Sequence, residues 1–466
     1  MKNNIYLLLL PFCLFANQTL QAQWTPQADK IFGALFSVDA HRAVDAQVNW
    51  AGVNVFPWSS APTLSGWVTR TADGGATWKY TQIPGAEGYV VWGISALDAD
   101  RAWVSMNYRA DRTKSRIYRT QDGGDTWQLQ FEGPGAGFFT HFFDGQNGVM
   151  VRGNKYRHSS DSGATWSALD SFPAVNNGVF LIPTELFDVY QDTIWVPTAE
   201  GRISKSTDKG KTWQTFSTYM QFSGVSANML DFSDGRQGLA VAAFSSTLGP
   251  DGFYPALPYP RLFNTADGGL TWQEIPSFNL PLPADDIGIS AIGAVPGLPG
   301  TYLMVAGYFD TGTSTSKDFI YQSNDNGLNW TLVGENPATF RLQSLEFVSP
   351  TAGWGGIGGD FTPGAAHFFR WNGIVSGTSE TTANNTLLQV MPNPASDQLT
   401  LRLPEDAPMP GMTAFIFDAQ GRLMWREQTG AYTEIDVSRL APGAYTALVQ
   451  DAQGKIVGAK RWVKGE

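Results

Sequence analysis

Short segments in which apolar and polar residues alternate follow one another along most of this chain. Residues 140–151 are typical, because an apolar run there ends at a turn around Asp144 and a second apolar run begins at Gly148. The same order recurs at residues 229–241 and 345–355. Alternation with a period of two predicts β-strands, and turn residues between such runs predict antiparallel hairpins. The pattern therefore predicts an all-β protein built from many short strands.

An eight-residue turn with the pattern Ser/Thr-x-Asp-x-Gly-x-Thr-Trp occurs six times, and we call these copies the repeat turns. Their aspartates and tryptophans, in chain order, are Asp73 with Trp78, Asp122 with Trp127, Asp161 with Trp166, Asp208 with Trp213, Asp267 with Trp272, and Asp325 with Trp330. The sixth copy carries Asn329 where the other five carry threonine.

Each residue type in the repeat turn has a physical reason to be there. An aspartate accepts backbone N–H groups a few residues further on and so folds a tight turn, and a glycine tolerates the positive φ angle that such turns need. The tryptophan buries a large ring against the sheet. We therefore expect these aspartates and tryptophans to be structural, and we expect no metal ion or substrate at them.

The spacing of the repeat turns predicts the size and number of the repeating units. Their aspartates are 49, 39, 47, 59 and 58 residues apart, close to the roughly 50 residues of a four-stranded propeller blade. A seventh unit at residues 345–373 has the strands but no repeat turn. Seven units predict a seven-bladed β-propeller over residues 23–375.

The repeat turns resemble the Asp-box (BNR) repeats of sialidases, sortilin-type receptors, xyloglucan-cleaving enzymes and photosystem assembly factors. The resemblance implies a propeller. It does not indicate an activity, because these families differ in function.

The N-terminus has the features of a secretory signal peptide at residues 1–22: Lys2, an apolar run at residues 5–15, and Ala22 before the expected cleavage site. The single cysteine, Cys13, lies in this segment, so we expect a mature chain without thiols. No other segment is apolar enough to predict a transmembrane helix.

The residues after the signal peptide resemble the segment that follows a repeat turn. Residues 23–27 read Gln-Trp-Thr-Pro-Gln, and residues 126–130 read Thr-Trp-Gln-Leu-Gln. We expect this N-terminal segment to pair with residues 368–371 and complete the seventh blade, with Trp24 in the place of a repeat-turn tryptophan.

The C-terminal part has a different pattern. Residues 376–386 are rich in Ser, Thr, Asn and Gly and predict a linker, and the alternating strands of residues 387–466 predict a small β-sandwich. A Pro-Asn-Pro opening at residues 392–394, an Asp-x-x-Gly-Arg turn at 418–422 and a basic end at 460–464 resemble the type A sorting domain of the Bacteroidetes type IX secretion system. This resemblance implies the secretion machinery as partner and a secreted or cell-surface protein.

Charge and histidine spacing narrow the classes of partner. The formal net charge of -11 argues against nucleic acids and anionic membranes, because both are bound by basic patches. The four histidines, at positions 41, 141, 158 and 367, lack a metal-ligand spacing. We expect no cofactor and no metal site.

A ligand site is expected on the side of the ring opposite the repeat turns. In a blade with strands A to D the repeat turn is the C–D turn, so the B–C loops lie on the other side, which we call the loop face. The side with the repeat turns is the turn face. Long B–C loops occur in units five, six, seven, one and two, which are consecutive on a closed ring. Their aromatic and charged residues either pack the loops together or line one site for a glycan or a protein: Trp50, Phe56, Trp58, Tyr108, Arg109, Arg112, Phe253, Tyr254, Tyr259, Tyr308, Phe309, Asp310, Asp360 and Phe361.

Three functions stay open from the sequence. The favoured hypothesis is a non-catalytic glycan- or protein-binding scaffold. The second is a glycoside hydrolase, sialidase-like or endo-glucanase-like, although the Arg-Ile-Pro motif of sialidases is missing. Its carboxylate pair would come from Asp98, Asp144, Asp285, Asp286, Asp310 and Asp360. The third is an assembly or maturation factor that resembles the photosystem assembly propellers.

Overall fold

The computed structural model of the chain is almost entirely β-sheet. It describes residues 24–27, 36–55, 66–111, 114–134, 139–173, 187–198, 201–218, 220, 225–227, 229–245, 256–275, 280, 288–310, 315–335, 342–357, 368–371, 373, 375, 388–403, 411–418, 423–450 and 456–465. Within these ranges no helix has the length and apolar character needed to cross a membrane.

A seven-bladed β-propeller forms the larger part of the molecule, which confirms the predicted fold class. The first strand in the chain, β1 (Trp24–Pro26), belongs to blade seven. The strands of the blades, in chain order, are β2 (Phe36–Ala43), β3 (Asn49–Val55), β4 (Trp67–Thr71) and β5 (Lys79–Gln82) in blade one; β6 (Tyr89–Ala96), β7 (Ala102–Tyr108), β8 (Lys114–Thr120) and β9 (Gln128–Pro134) in blade two; β10 (Phe139–Phe142), β11 (Gly148–Arg152), β12 (Lys155–Ser159) and β13 (Asp170–Ser171) in blade three; β14 (Asp188–Tyr190), β15 (Thr193–Thr198), β16 (Arg202–Ser206) and β17 (Gln214–Ser217) in blade four; β18 (Val225–Ser226), β19 (Met229–Phe232), β20 (Gly238–Ser245), β21 (Ala256–Thr265) and β22 (Gln273–Ile275) in blade five; β23 (Gly288–Ala294), β24 (Tyr302–Asp310), β25 (Thr315–Ser323) and β26 (Thr331–Glu335) in blade six; and β27 (Leu342–Ser349), β28 (Ala352–Ile357) and β29 (Phe368–Trp371) with β1 in blade seven.

The repeat turns are folded by the same four hydrogen bonds in every copy. In the first, the Thr71 hydroxyl donates to Asp73 Oδ1 (2.8 Å) and accepts from the Gly75 N–H (2.8 Å). The backbone N–H and the hydroxyl of Thr77 donate to the two carboxylate oxygens of Asp73, at 2.9 and 2.5 Å. The fifth-position glycine has a φ angle between 78° and 89° in all six copies. In the second turn, the equivalent bonds from Thr126 lower the pKa of Asp122 to about 2.

The sixth repeat turn keeps this network with a different donor. Asn329 replaces the threonine, and its side-chain Nδ2 donates to Asp325 Oδ2 at 2.7 Å. The Asp325 carboxylate therefore accepts from an amide nitrogen where the carboxylates of the other five turns accept from a hydroxyl.

Each repeat turn is tied to the A–B turn of its own blade by one backbone bond of 2.8–3.0 Å. The N–H donors are Gly74, Gly123, Ser162, Lys209, Gly268 and Asn326, and the carbonyl acceptors, in the same order, are Gln47, Asp100, Gln146, Asp192, Arg236 and Gly300. In blade seven, Val375 donates to the carbonyl of Pro350 at 2.8 Å. The chain therefore makes the same bond in the seventh blade without a repeat turn.

Four tryptophans at one position of strand B connect neighbouring blades on the turn face. Their indole N–H groups donate to carbonyl oxygens of the next blade at 2.8–3.1 Å: Trp50 to Asp98, Trp103 to Ser162, Trp195 to Gly268, and Trp354 to Asp45. A strand-C cation lies 5.1–5.9 Å from the centroid of each ring: Arg70, Arg119, Lys205 and Arg370, respectively. These contacts hold neighbouring blades together at the turn face.

The N-terminal strand closes the ring, as predicted. Strand β1 pairs antiparallel with β29, with Trp24 opposite Trp371. The Trp24 ring lies edge-on to Phe347, with centroids 6.0 Å apart. Two repeat-turn tryptophans contact the equivalent phenylalanine of their blades in the same way, Trp166 with Phe142 and Trp272 with Phe232, each at 5.9 Å. Trp24 therefore occupies a repeat-turn tryptophan position.

The C-terminal domain is a small β-sandwich of two sheets. One sheet has the order β30 (Gln389–Met391), β31 (Gln398–Arg402), β34 (Tyr432–Asp436), and the other has the order β33 (Leu423–Thr429), β32 (Met412–Asp418), β35 (Gly443–Gln450), β36 (Ile456–Lys464). Side chains of both sheets, among them Leu401, Ile416 and Trp462, form the core between them.

Candidate functional site

Much of the predicted loop-face set lies outside the described residues. This holds for Phe56, Trp58, Arg112, Phe253, Tyr254, Asp360 and Phe361. Tyr259, Phe309 and Asp310 lie in β21 and β24, but the structure describes only their backbone. Whether these residues contact a ligand stays a prediction.

Trp50 is the one member of the set for which the prediction is wrong. We expected it at the start of a long B–C loop, but it lies within β3 and only 1% of it is exposed. Its indole N–H donates to the carbonyl of Asp98 and its ring packs in the core between blades one and two. The neighbouring residues Ala51 and Val53 pack in a different cluster, with Phe368 of blade seven.

Tyr108 and its neighbours form a group at the loop-face end of blade two, which we call the Tyr108 cluster. The rings of Tyr89 and Tyr108 are tilted with centroids 5.2 Å apart, and the ammonium of Lys114 lies 5.8 Å from the Tyr108 centroid. The guanidinium of Arg116 lies 4.5 Å from the Tyr89 centroid. Tyr108 is half-buried and Arg109, which follows it, is exposed.

Blade six contributes one further described aromatic ring to the loop face. Tyr308 is half-buried, near the end of β24, and stacks against Phe319 with centroids 6.4 Å apart. Packing against a neighbour fixes the orientation of the ring and leaves one part of it accessible.

A ring of seven equivalent positions surrounds the propeller axis, and the sequence analysis did not find it. Each position lies on the innermost strand of its blade, opposite the strand-B position that Trp50 occupies in blade one. We call it the axial ring, and its residues from blade one to blade seven are Arg42, Ser95, His141, Asp188, Asp231, Gly293 and Glu346.

Four axial-ring side chains accept a backbone N–H from the following blade. In each case the donor is the residue after the next axial-ring position. Ser95 accepts from Phe142, Asp188 from Phe232, Asp231 from Ala294 and Glu346 from Ala43, at distances of 2.7–2.8 Å. The last of these bonds joins blade seven to blade one. The polar groups at the axis therefore connect the blades around the ring.

The charged members of the ring also contact one another. Arg42 forms an ion pair with Glu346, and its Nη2 lies 3.4 Å from Nδ1 of His141. His41, which is buried beside the ring, has its Nδ1 3.6 Å from Glu346 Oε2. Burial and the nearby Arg42 charge hold the pKa of His141 well below its usual value.

The two aspartates of the axial ring have raised pKa values. Burial raises the pKa of Asp188 to about 6, against the opposing effects of its backbone hydrogen bonds and the charge of Arg42. Burial and the negative charge of Asp188 raise the pKa of Asp231 well above its usual value. Both residues are half-buried, on the innermost strands of their blades.

Replacing Asp188 with asparagine is expected to change the pH dependence of stability. A carboxyl with a raised folded-state pKa contributes stability at a pH below its ordinary pKa of 3.8, and that contribution is lost as the pH rises through about 6. The pKa of His141 shifts in the opposite sense, but it affects both proteins and cancels in their difference. At about pH 8 we expect Asp188→Asn to be more stable than the native chain by about 3 kcal/mol, because one pKa unit corresponds to about 1.4 kcal/mol. At about pH 4 the two should unfold alike, and denaturant titrations at both values test this. A benefit that is larger in acid would contradict the assignment.

The carboxylates considered for catalysis have structural roles where the structure describes them. Asp98 Oδ1 accepts the N–H groups of Asp100 and Arg101, at 2.9 and 2.7 Å. Asp144 Oδ1 accepts from Gln146 and Asn147, both at 2.7 Å. Both residues therefore fold A–B turns on the turn face. Asp285, Asp286 and Asp360 lie outside the described residues, as does the side chain of Asp310. Within the described part of the chain, no three His, Cys, Asp or Glu side chains are placed to hold a metal ion.

Comparison with known proteins identifies the C-terminal domain and supports the propeller fold. A family described as the secretion system C-terminal sorting domain matches residues 389–464. Two solved structures cover about three quarters of the chain and 98% of their own length, each with a TM-score of 0.50. They are YCF48 bound to a D1 peptide, 15% identical, and YCF48 from Cyanidioschyzon merolae, 14% identical. At this identity they show the fold alone.

A xyloglucanase from a Paenibacillus species is 27% identical over 246 residues, which is 46% of this chain. The matched part spans only 23% of that enzyme. The sorting domain shows that the protein is secreted or lies at the cell surface, and that its C-terminal domain interacts with the secretion machinery.

Proposed function

We propose that this protein is a non-catalytic binding propeller that holds an extracellular glycan or protein on its loop face, after export by the type IX secretion system. The observation that carries the proposal is the Tyr108 cluster, where a half-buried tyrosine ring adjoins the exposed Arg109 and Lys114. An aromatic surface beside cationic donors suits stacking on a sugar ring or anchoring a protein partner.

The charged groups elsewhere support a binding role over a catalytic one. The carboxylates of the axial ring accept backbone N–H groups of adjacent blades, and Asp98 and Asp144 fold turns. A general acid or base has to exchange protons with a substrate, and groups held in this way stabilise the ring instead. The resemblance of the repeat turns to Asp-box repeats fits either role.

A glycoside hydrolase is the second candidate, favoured by the 27% identity to the xyloglucanase. Its carboxylates would have to come from the B–C loops, at Asp310 or Asp360 among others. The likeness to YCF48, one structure of which holds a D1 peptide, makes a peptide a reasonable form of protein ligand, as an assembly or maturation factor would require.

A glycan array and a polysaccharide hydrolysis screen on the same preparation test the proposal. We expect binding without product release, and we expect Tyr108→Ala/Arg109→Ala to weaken binding at least tenfold while the β-sheet signal in circular dichroism is retained. Lys211→Ala, an exposed cation on the turn face, is the matched control and should bind normally. Released sugar that Asp310→Asn or Asp360→Asn abolishes would establish the hydrolase instead.

A further inference from the structure

The turn face has a gap at the seventh blade, where no repeat turn follows β29. In the six other blades the repeat turn covers the end of the blade. In blade seven the chain continues from Trp371 to Val375, whose N–H makes the bond to the A–B turn that a repeat turn makes elsewhere. The apolar side chains at this end of the blade need another cover.

One sheet of the sorting domain has an apolar outer face that the sandwich itself does not bury. Along β32, Ala414 and Ile416 face the sandwich core, whereas Phe415 and Phe417 face away from it. Leu448 lies opposite Phe415 on the neighbouring strand β35 and faces the same way. In an isolated sandwich these three side chains would be exposed, yet only 6%, 6% and 1% of them are exposed here.

The propeller covers this outer face, at the gap. Phe415, Phe417 and Leu448 belong to one continuous apolar cluster with Leu298 of blade six and Val375 of blade seven. The Phe417 ring lies over the A–B turn of blade six, where a Cβ built on Gly297 would be 3.6 Å from its Cζ. The same cluster includes Trp24, Phe347 and Trp371, which close the ring.

We propose that the sorting domain is a cap on the seventh blade that takes the place of the missing repeat turn and stabilises the closure of the ring. The outer face of its larger sheet is the docking surface, and its partner is the turn face of blades six and seven of the same chain. The domain that directs export is thus also part of the folded propeller. This holds whatever ligand the loop face binds.

Hydrogen exchange on the chain from Gln23 onward tests the cap, because it measures the amide protection of the β1–β29 pairing that closes the ring. In Phe417→Ser the cap loses an apolar contact without changing the sandwich core. We expect amide protection of residues 24–27 and 368–371 to fall about a hundredfold, while protection of β11 in blade three is unchanged. Leu423→Ser, on the same sheet but 50% exposed, is the matched control and should leave all protection unaltered. Unchanged protection of residues 24–27 in Phe417→Ser would overturn the proposal. It would mean that Phe417 does not contact the propeller in solution, so that a polar side chain there does not affect the closure.

A second variant changes the propeller side of the same interface. Leu298→Ser removes the contact even if the sorting domain proves sensitive to substitution at Phe417. We expect small-angle scattering to show a larger radius of gyration as the sorting domain swings out on its linker, together with the same loss of protection at residues 24–27. A radius and a protection pattern identical to those of the native chain would reject the cap.

Discussion

Replacing Trp24 with alanine is expected to lower the free energy of unfolding by about 3–5 kcal/mol, the range for removing a buried tryptophan side chain. The ring is 3% exposed and contacts Phe347 and Trp371, with centroids 6.0 and 5.2 Å away. Its loss opens a cavity in the strand pairing that closes the propeller. Denaturant unfolding followed by tryptophan fluorescence and circular dichroism measures the effect.

The matched control for this variant is Thr25→Ala, at the next position of β1, where the side chain is exposed. It keeps the backbone pairing with Arg370 and should change stability by less than about 0.5 kcal/mol. If Trp24→Ala were no more destabilising than Thr25→Ala, the N-terminal strand would not contribute to closure in solution.

Deleting residues 387–466 is expected to abolish export across the outer membrane. The segment contains the match to the secretion system sorting domain, and we expect nearly all of the truncated protein to accumulate in the periplasm. Cell fractionation followed by immunoblotting measures the distribution in a host that has the type IX machinery.

The reciprocal experiment controls for misfolding of the truncated propeller. Fusing residues 376–466 to an unrelated periplasmic protein should bring that protein out of the cell. Export of the truncated propeller at the native level, or retention of the fusion, would each show that the sorting information lies elsewhere in the chain.

The architecture could be predicted well from the sequence because each repeat turn is a local sequence pattern that marks one blade. Each turn is folded by residues at most four positions apart, such as Asp73 and Thr77, so its pattern survives in the sequence. The closure by β1 was also predictable, since Trp24 follows the same local pattern as a repeat-turn tryptophan.

The axial ring escaped the sequence analysis because its bonds join residues of different blades, which are 44 to 303 positions apart in the chain. Glu346 and Ala43 are one example, separated by 303 positions. A signal did exist: in five of the seven blades the axial-ring position lies just before the last residue of the innermost strand, as Asp231 does before Phe232. Alignment of the seven units on this position would have shown polar residues in six of the blades where an apolar strand was expected.

Trp50 was misassigned for a related reason. An aromatic residue near a long loop gives the same sequence pattern whether its side chain points into the core or to solvent. Which way the Trp50 side chain points depends on the register between β3 and β2. The pairing of Trp50 with Arg42 fixes that register, and it is a property of the folded sheet rather than of the local sequence.

The pairing of Trp24 with Trp371 also orders events during export. The signal peptide predicted at residues 1–22 would lead, so β1 would enter the periplasm first, but its partner strand β29 would arrive only after six blades have followed. Contacts between such distant segments form late, because the intervening chain must first be brought together. Until then β1 has no place in a sheet, and blade seven presents an open edge. A chaperone that holds extended apolar segments would therefore act on this protein between the passage of residue 24 and that of residue 371, and its release would coincide with the arrival of the C-terminal domain.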